Sequence, residues 1–212
     1  MATPFGLLVE AFNYSNAAED EFNDWYDIEH VPQCLGARGF INAQRWISID
    51  DPKVAVAIYD LESLAVLQSP DYLGISGVNL SPWSKRMSAK CQPICRFEAD
   101  QINPGHRAAP ADAGGLVLTS MNVKPELEAE FNSWYDEEHI PGLSAAAGTL
   151  CSRRFKMASG LQRYMALHHL ESPDVPTSTG WKTEADTPWT KKLRPHIGDR
   201  LRFVLRPYER NA

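Results

Sequence analysis

The sequence predicts an α+β fold: two tandem βαββαβ units whose sheets face one another as an intramolecular barrel. Three observations predict it: an internal repeat, the same order of elements in each copy, and a sheet face that each copy leaves uncovered. Residues Glu21-Phe22-Asn23-Asp24-Trp25-Tyr26-Asp27-Ile28-Glu29-His30-Val31-Pro32 recur as Glu130-Phe131-Asn132-Ser133-Trp134-Tyr135-Asp136-Glu137-Glu138-His139-Ile140-Pro141, with nine of twelve positions identical at an offset of 109. That offset also carries Gly39 onto Gly148, Arg45 onto Arg154 and Leu61-Glu62-Ser63 onto Leu170-Glu171-Ser172. An offset of 106 then carries Ser81-Pro82-Trp83 onto Thr187-Pro188-Trp189 and Arg96-Phe97 onto Arg202-Phe203. A register held over the whole chain marks a duplicated unit. The units are expected at 1–103 and 115–212, joined by a linker at 104–114 within a Pro-, Gly- and Ala-rich stretch, 100–115.

Each copy opens on an apolar strand, 7–14 and 116–123. Helices follow at 16–30 and 125–139, with acidic residues in the first turn, where the helix dipole favours them. Pro32 and Pro141 are expected to stop these helices just past the histidines. Strand pairs come next, 40–49 with 54–60 and 149–157 with 163–169, turning at Asp51-Pro52 and Ser159-Gly160. Ser81-Pro82 and Thr187-Pro188 combine an N-cap with a first-turn proline and start a second, short helix. Residues 91–99 and 200–205 close each sheet. This is a ferredoxin-like order. Helices on one face of an antiparallel sheet leave the other bare, and the second copy in the same chain supplies the cover.

Composition narrows the function. The 212 residues carry a net charge of −6, which argues against a nucleic-acid partner, whose phosphates need a basic face. No apolar run reaches the roughly 18 residues of a membrane span, and Met1-Ala2-Thr3-Pro4 lacks the basic start of a signal peptide; a cytoplasmic protein is expected. The four cysteines (Cys34, Cys91, Cys95, Cys151) have no zinc spacing and read as reduced thiols. Phosphate-cradling loops, dinucleotide fingerprints, nucleophile elbows and zinc helices are absent from the sequence, so neither a cofactor nor a metal is expected. Haem stays open as an alternative, because one histidine suffices as an axial ligand.

The segment Glu-Phe-Asn-x-Trp-Tyr-Asp-x-Glu-His-x-Pro resembles the EthD-like branch of the dimeric α/β-barrel superfamily, here in both copies. The resemblance implies paired ferredoxin-like units around a small-molecule pocket. It also implies an activity among the superfamily's cofactor-free oxygenases, isomerases, lyases, cyclases, dehydratases and haem-degrading enzymes. Carrying both units in one chain makes this protein a built-in dimer, either a monomeric pseudo-dimer or one that pairs further as a homodimer.

The candidate site residues follow from the elements. Phe22, Trp25 and Tyr26 form a helical stripe that reads as core. His30 and His139 end the repeated helices; each is either half of an acid/base pair with Asp27 or Asp136, or a helix-end cap. On the third strand, Val54, Val56 and Ile58 share one face and Ala55, Ala57 and Tyr59 the other. The branched face is expected under the helices. The alanine face, ending in Tyr59 or its counterpart His168, is expected to line a cavity between the two sheets. Glu10 and Phe12, with Thr119 and Met121 as counterparts, are placed on that side, as are Arg96 and Arg202. Glu10 and the arginines are either proton-transfer groups or ordinary ion pairs at the barrel ends.

His168, Tyr59, Glu10, His30 and His139 are therefore the catalytic candidates, with Phe12, Met121, Ala57, Tyr164, Arg96 and Arg202 against the substrate. The expected function is a cofactor-independent lyase or dehydratase moving protons on a hydrophobic, aromatic small molecule. A non-catalytic binding protein, or an oxygenase, isomerase or cyclase, is the alternative.

Overall fold

Eight antiparallel strands form a closed barrel in the computed structural model, which describes residues 3–210. They are β1 (Gly6–Asn13), β2 (Phe40–Ser48), β3 (Val54–Leu61), β4 (Gln92–Asn103), β5 (Gly115–Val123), β6 (Thr149–Met157), β7 (Tyr164–Leu170) and β8 (Ile197–Pro207). Their order around the barrel is β1-β3-β2-β8-β5-β7-β6-β4. Each half contributes one ferredoxin-like sheet, and two seams join them. In one, Trp46, Ile47 and Ser48 of β2 oppose Pro207, Arg206 and Leu205 of β8. In the other, Ala99 to Asn103 of β4 oppose Met157 to Arg154 of β6. The seams use the strand ends that run past the expected limits at 99 and 205. Residues 100–103 thus belong to β4, not to a loop.

The barrel interior is filled. Leu7, Val9, Val56 and Ile58 of the first half pack against Leu116, Leu118, Phe155 and Leu167 of the second, all at 1% exposure or less. The expected cavity between the sheets is therefore corrected. An eight-stranded barrel is narrow enough for side chains to fill it, and here large branched residues do so. The grouping of residues by strand face holds, but the faces are exchanged. Ala55, Ala57 and Tyr59 lie beneath the first-half helices with Phe22, Trp25 and Tyr26. Bulky rings on the helix need small residues on the strand below, which is why alanines stand there; Ala166 serves Phe131, Trp134 and Tyr135 in the same way.

Pro32 and Pro141 do not end their helices. In the first half, α1 (Glu19–Asp24) runs through a π-helical turn (Trp25–His30) into α2 (Val31–Gly36), where Pro32 stands in the first turn. After the short α3 (Pro70–Leu73) comes α4 (Pro82–Lys90), capped by Ser81 as its start signal requires. In the second half, α5 (Glu128–Trp134), a π turn (Tyr135–His139) and α6 (Ile140–Ala145) repeat the arrangement. The wide turn changes the backbone pairing just before the proline, so its missing N–H falls at the start of a new α segment. The second half closes with α7 (Thr179–Ala185) and α8 (Pro188–Leu193), the latter capped by Thr187.

Candidate functional site

The repeated motif builds a frame around each histidine. Arg45 on β2 donates from Nη1 to Asp27 (2.5 Å) and from Nη2 to Asn23 (2.6 Å). Arg154 on β6 repeats this with Asp136 (3.3 Å) and Asn132 (2.5 Å). Glu29 accepts from the Ser81 and Ser84 hydroxyls, and the Trp25 indole donates to Ser84 (2.9 Å). Asp27 and Asp136 are therefore committed to arginines, and the expected pairing of each with its neighbouring histidine is not formed. Instead His30 stacks on Trp25 with ring centroids 4.7 Å apart, and His139 on Trp134 at 4.3 Å. Five residues of ordinary α-helix would turn such a pair about 140° apart; the π turn brings them onto one face.

The candidate residues divide between two pockets, one under the helices of each half. The second-half pocket, about 540 Å³, takes in His139, His168, Met121 and Arg202. The first-half pocket, about 430 Å³, takes in Glu10, Phe12, His30 and Arg96. Tyr59, Ala57 and Tyr164 line neither. Tyr59 is buried edge-on to His30 and Phe40, Ala57 packs in the first-half core, and the Tyr164 hydroxyl donates to Glu128. A single site drawing on all the candidates does not exist, because their common strand face is split between two sheets that point away from each other.

In the second-half pocket the two imidazoles meet edge to face, 6.3 Å between centroids, with Trp181 5.3 Å from His168. His168 pairs through Nδ1 with the Ser152 hydroxyl at 3.0 Å. Burial, with added repulsion from His139 and Arg202, pushes the His168 pKa down to about 3. Burial, with Arg200 and Arg154 nearby, brings His139 down to about 4. Both rings are neutral at pH 7. The walls are apolar (Val117, Met121, Trp134, Leu143, Trp181), and the polar lining includes Lys182, Arg194, Arg200 and Arg202 against one carboxylate, Asp186.

The first-half pocket has a different chemistry. Arg96 pairs with Glu10 and Glu98 and donates to the Tyr72 hydroxyl at 3.0 Å. His30 Nε2 lies 3.8 Å from Glu10. Burial opposes the charge on Glu10, but His30 and Arg96 outweigh it and hold the carboxyl below its usual range.

The sequence reading missed Trp181, Lys182, Arg194 and Arg200. Trp181 stands at the motif's own offset of 109 from Tyr72, a signal hidden by the divergence of the residues around both. No cluster of three or more metal-ligating side chains occurs among the described residues, and no described helix is long and apolar enough to cross a membrane.

The architecture and the placement of the pockets define an α/β barrel of the dimeric ferredoxin-like type, and solved structures share it. An anthrone oxidase-like protein superposes with a TM-score of 0.68 at 11% identity, covering 97% of this chain and 92% of that one. A provisionally described monooxygenase from Fusobacterium nucleatum gives 0.67 at 14% identity, covering 99% and 94%. A chlorite dismutase variant from Candidatus Nitrospira defluvii gives 0.61 at 9% identity, covering 98% and 93%. At these identities the likeness is one of fold. No protein-family model and no curated protein matches the sequence.

Proposed function

We propose that the protein is a tandem, EthD-like member of this barrel class and a cofactor-independent lyase of the dehydratase type. Its proposed substrate is a small aromatic molecule that becomes anionic during reaction, bound under the second-half helices. The observation that carries this reading is the facing pair of neutral histidines in an apolar pocket lined by four cationic side chains. Elimination asks for a group that takes a proton from carbon and returns one to the leaving oxygen. One imidazole can do both: it accepts the proton as the C–H bond breaks, then delivers it to the departing hydroxyl, so that water leaves and a C=C bond forms. A ring with a depressed pKa gives up its proton readily, which favours the second half of this sequence. Arg200 and Arg202 are suited to stabilise the enolate-like charge that develops in between. Val117, Met121 and Trp181 are suited to hold the aromatic body.

The test uses a β-hydroxy-β-phenyl ketone and follows the conjugated enone by absorbance. The expected results are turnover by the intact chain and a loss of roughly 10²–10⁴-fold in His168→Ala or His139→Ala, the usual scale for a lost proton-transfer group. Turnover in both variants equal to that of the intact chain would overturn the reading, and no turnover by the intact chain would favour a binding protein. Oxygenation is the second reading, supported by the monooxygenase and oxidase-like descriptions of the structural neighbours. It predicts oxygen uptake with an electron-rich phenol, which the elimination does not need.

A further inference from the structure

The two pockets occupy equivalent places in the repeat, yet their charged groups differ in kind. At offsets of 109 and 106, Thr119 and Val204 of the second half correspond to Glu10 and Glu98, while Lys182 and Arg200 correspond to Leu73 and Ile94. The first-half pocket thereby has two carboxylates, Glu10 and Glu98, faced by Arg96 and His30, where the second-half pocket has four cations and one carboxylate. That arginine is largely committed. Nε and Nη2 go to Glu98 (3.1 and 2.8 Å), Nη1 goes to Glu10, and Nη2 also meets Tyr72. Four of its five N–H directions are taken, which leaves a single Nη1 hydrogen. Glu98 Oε2 carries no hydrogen bond among the described residues, so this polar floor keeps a carboxylate oxygen free to accept. Around it stand Leu8, Phe12, Trp25 and Tyr72, which suit a flat apolar body.

We propose that the first-half pocket is a second ligand site, and that its ligand is a small aromatic amine. The ammonium donates to Glu98 and Glu10 while the ring lies among Phe12, Trp25 and Tyr72. The inference is independent of the chemistry assigned to the second half, since it uses none of those residues.

The experiment is calorimetric titration of the full chain with phenethylamine, repeated in the presence of saturating phenylpropanoate. One amine per chain is expected, with affinity unchanged by the anion. Glu98→Gln should weaken the amine about tenfold, and Glu98→Arg should abolish its binding. Glu98 is partly exposed, so both variants are expected to fold; a circular dichroism spectrum identical to the parent's checks this. Absence of heat with millimolar phenethylamine, unchanged affinity in Glu98→Arg, or competition between amine and anion would each overturn the assignment.

Discussion

His168 and His139 show how burial sets chemistry at a single residue. Each ring sits under the helices, where charging it means placing a cation in an apolar site already facing arginines. His169, inside the barrel end, is likewise pushed well below its ordinary value by burial. This predicts a pH dependence of stability. In the unfolded chain these rings take up protons near pH 6.5, whereas in the fold His139 and His168 resist until about 4 and about 3. Between those limits the unfolded state binds protons that the native state refuses, so stability is complete above about pH 6.5 and is lost as pH falls. At pH 5 each of the two rings accounts for about 2 kcal/mol, from the free energy of a pKa difference. Urea unfolding at pH 7 and pH 5 measures it, and His168→Gln, which keeps a partner for Ser152, should flatten the slope.

At the scale of elements, the motif works as a clamp between helix and strand. Arg45 holds Asn23 and Asp27, and its guanidinium lies over the Tyr26 ring at 4.5 Å, fixing the π turn that presents His30. Arg45→Ala should cost about 2 kcal/mol, the scale of losing charge-assisted hydrogen bonds in a partly buried site. Arg45→Lys should recover only part, because an ammonium cannot span both acceptors. Chemical denaturation checks both variants. Much of this layer is legible in the sequence: the repeat, the strand order, the capped short helices and the residues sharing each strand face all follow from spacing. Which face turns inward was not legible. Period-two alternation says that Ala57 and Ile58 oppose each other, but only the bulk of Trp25 and Tyr26 above, against the narrow barrel inside, decides which goes where. The prolines misled for a related reason: a helix stop and a helix restart after a π turn leave the same mark.

Over the whole molecule, the two sheets share one core, and a buried ion pair ties them at a barrel end. Arg153 of β6 donates to Asp60 of β3 at 2.6 Å with both side chains at 1% exposure or less. The segment after β4 closes over them: the Arg107 carbonyl accepts from Arg153, and the Ala109 N–H donates to Asp60. Asp60→Ala would strand the Arg153 charge and should cost about 3–5 kcal/mol, whereas the paired replacement Asp60→Leu with Arg153→Met should restore most of it. Thermal unfolding of the three proteins tests this. The sequence displays Asp60 against His169 as an asymmetry between the copies, but a partner 93 positions away on another strand cannot be read from spacing.

The central claim is that small molecules bind beneath the helices and not between the sheets. Methyl-detected NMR with phenylpropanoate tests it most directly. The claim predicts shifts at Val117, Met121 and Leu143, with Val56, Ile58 and Leu118 unmoved. Shifts concentrated at Val56, Ile58 and Leu118 would contradict it.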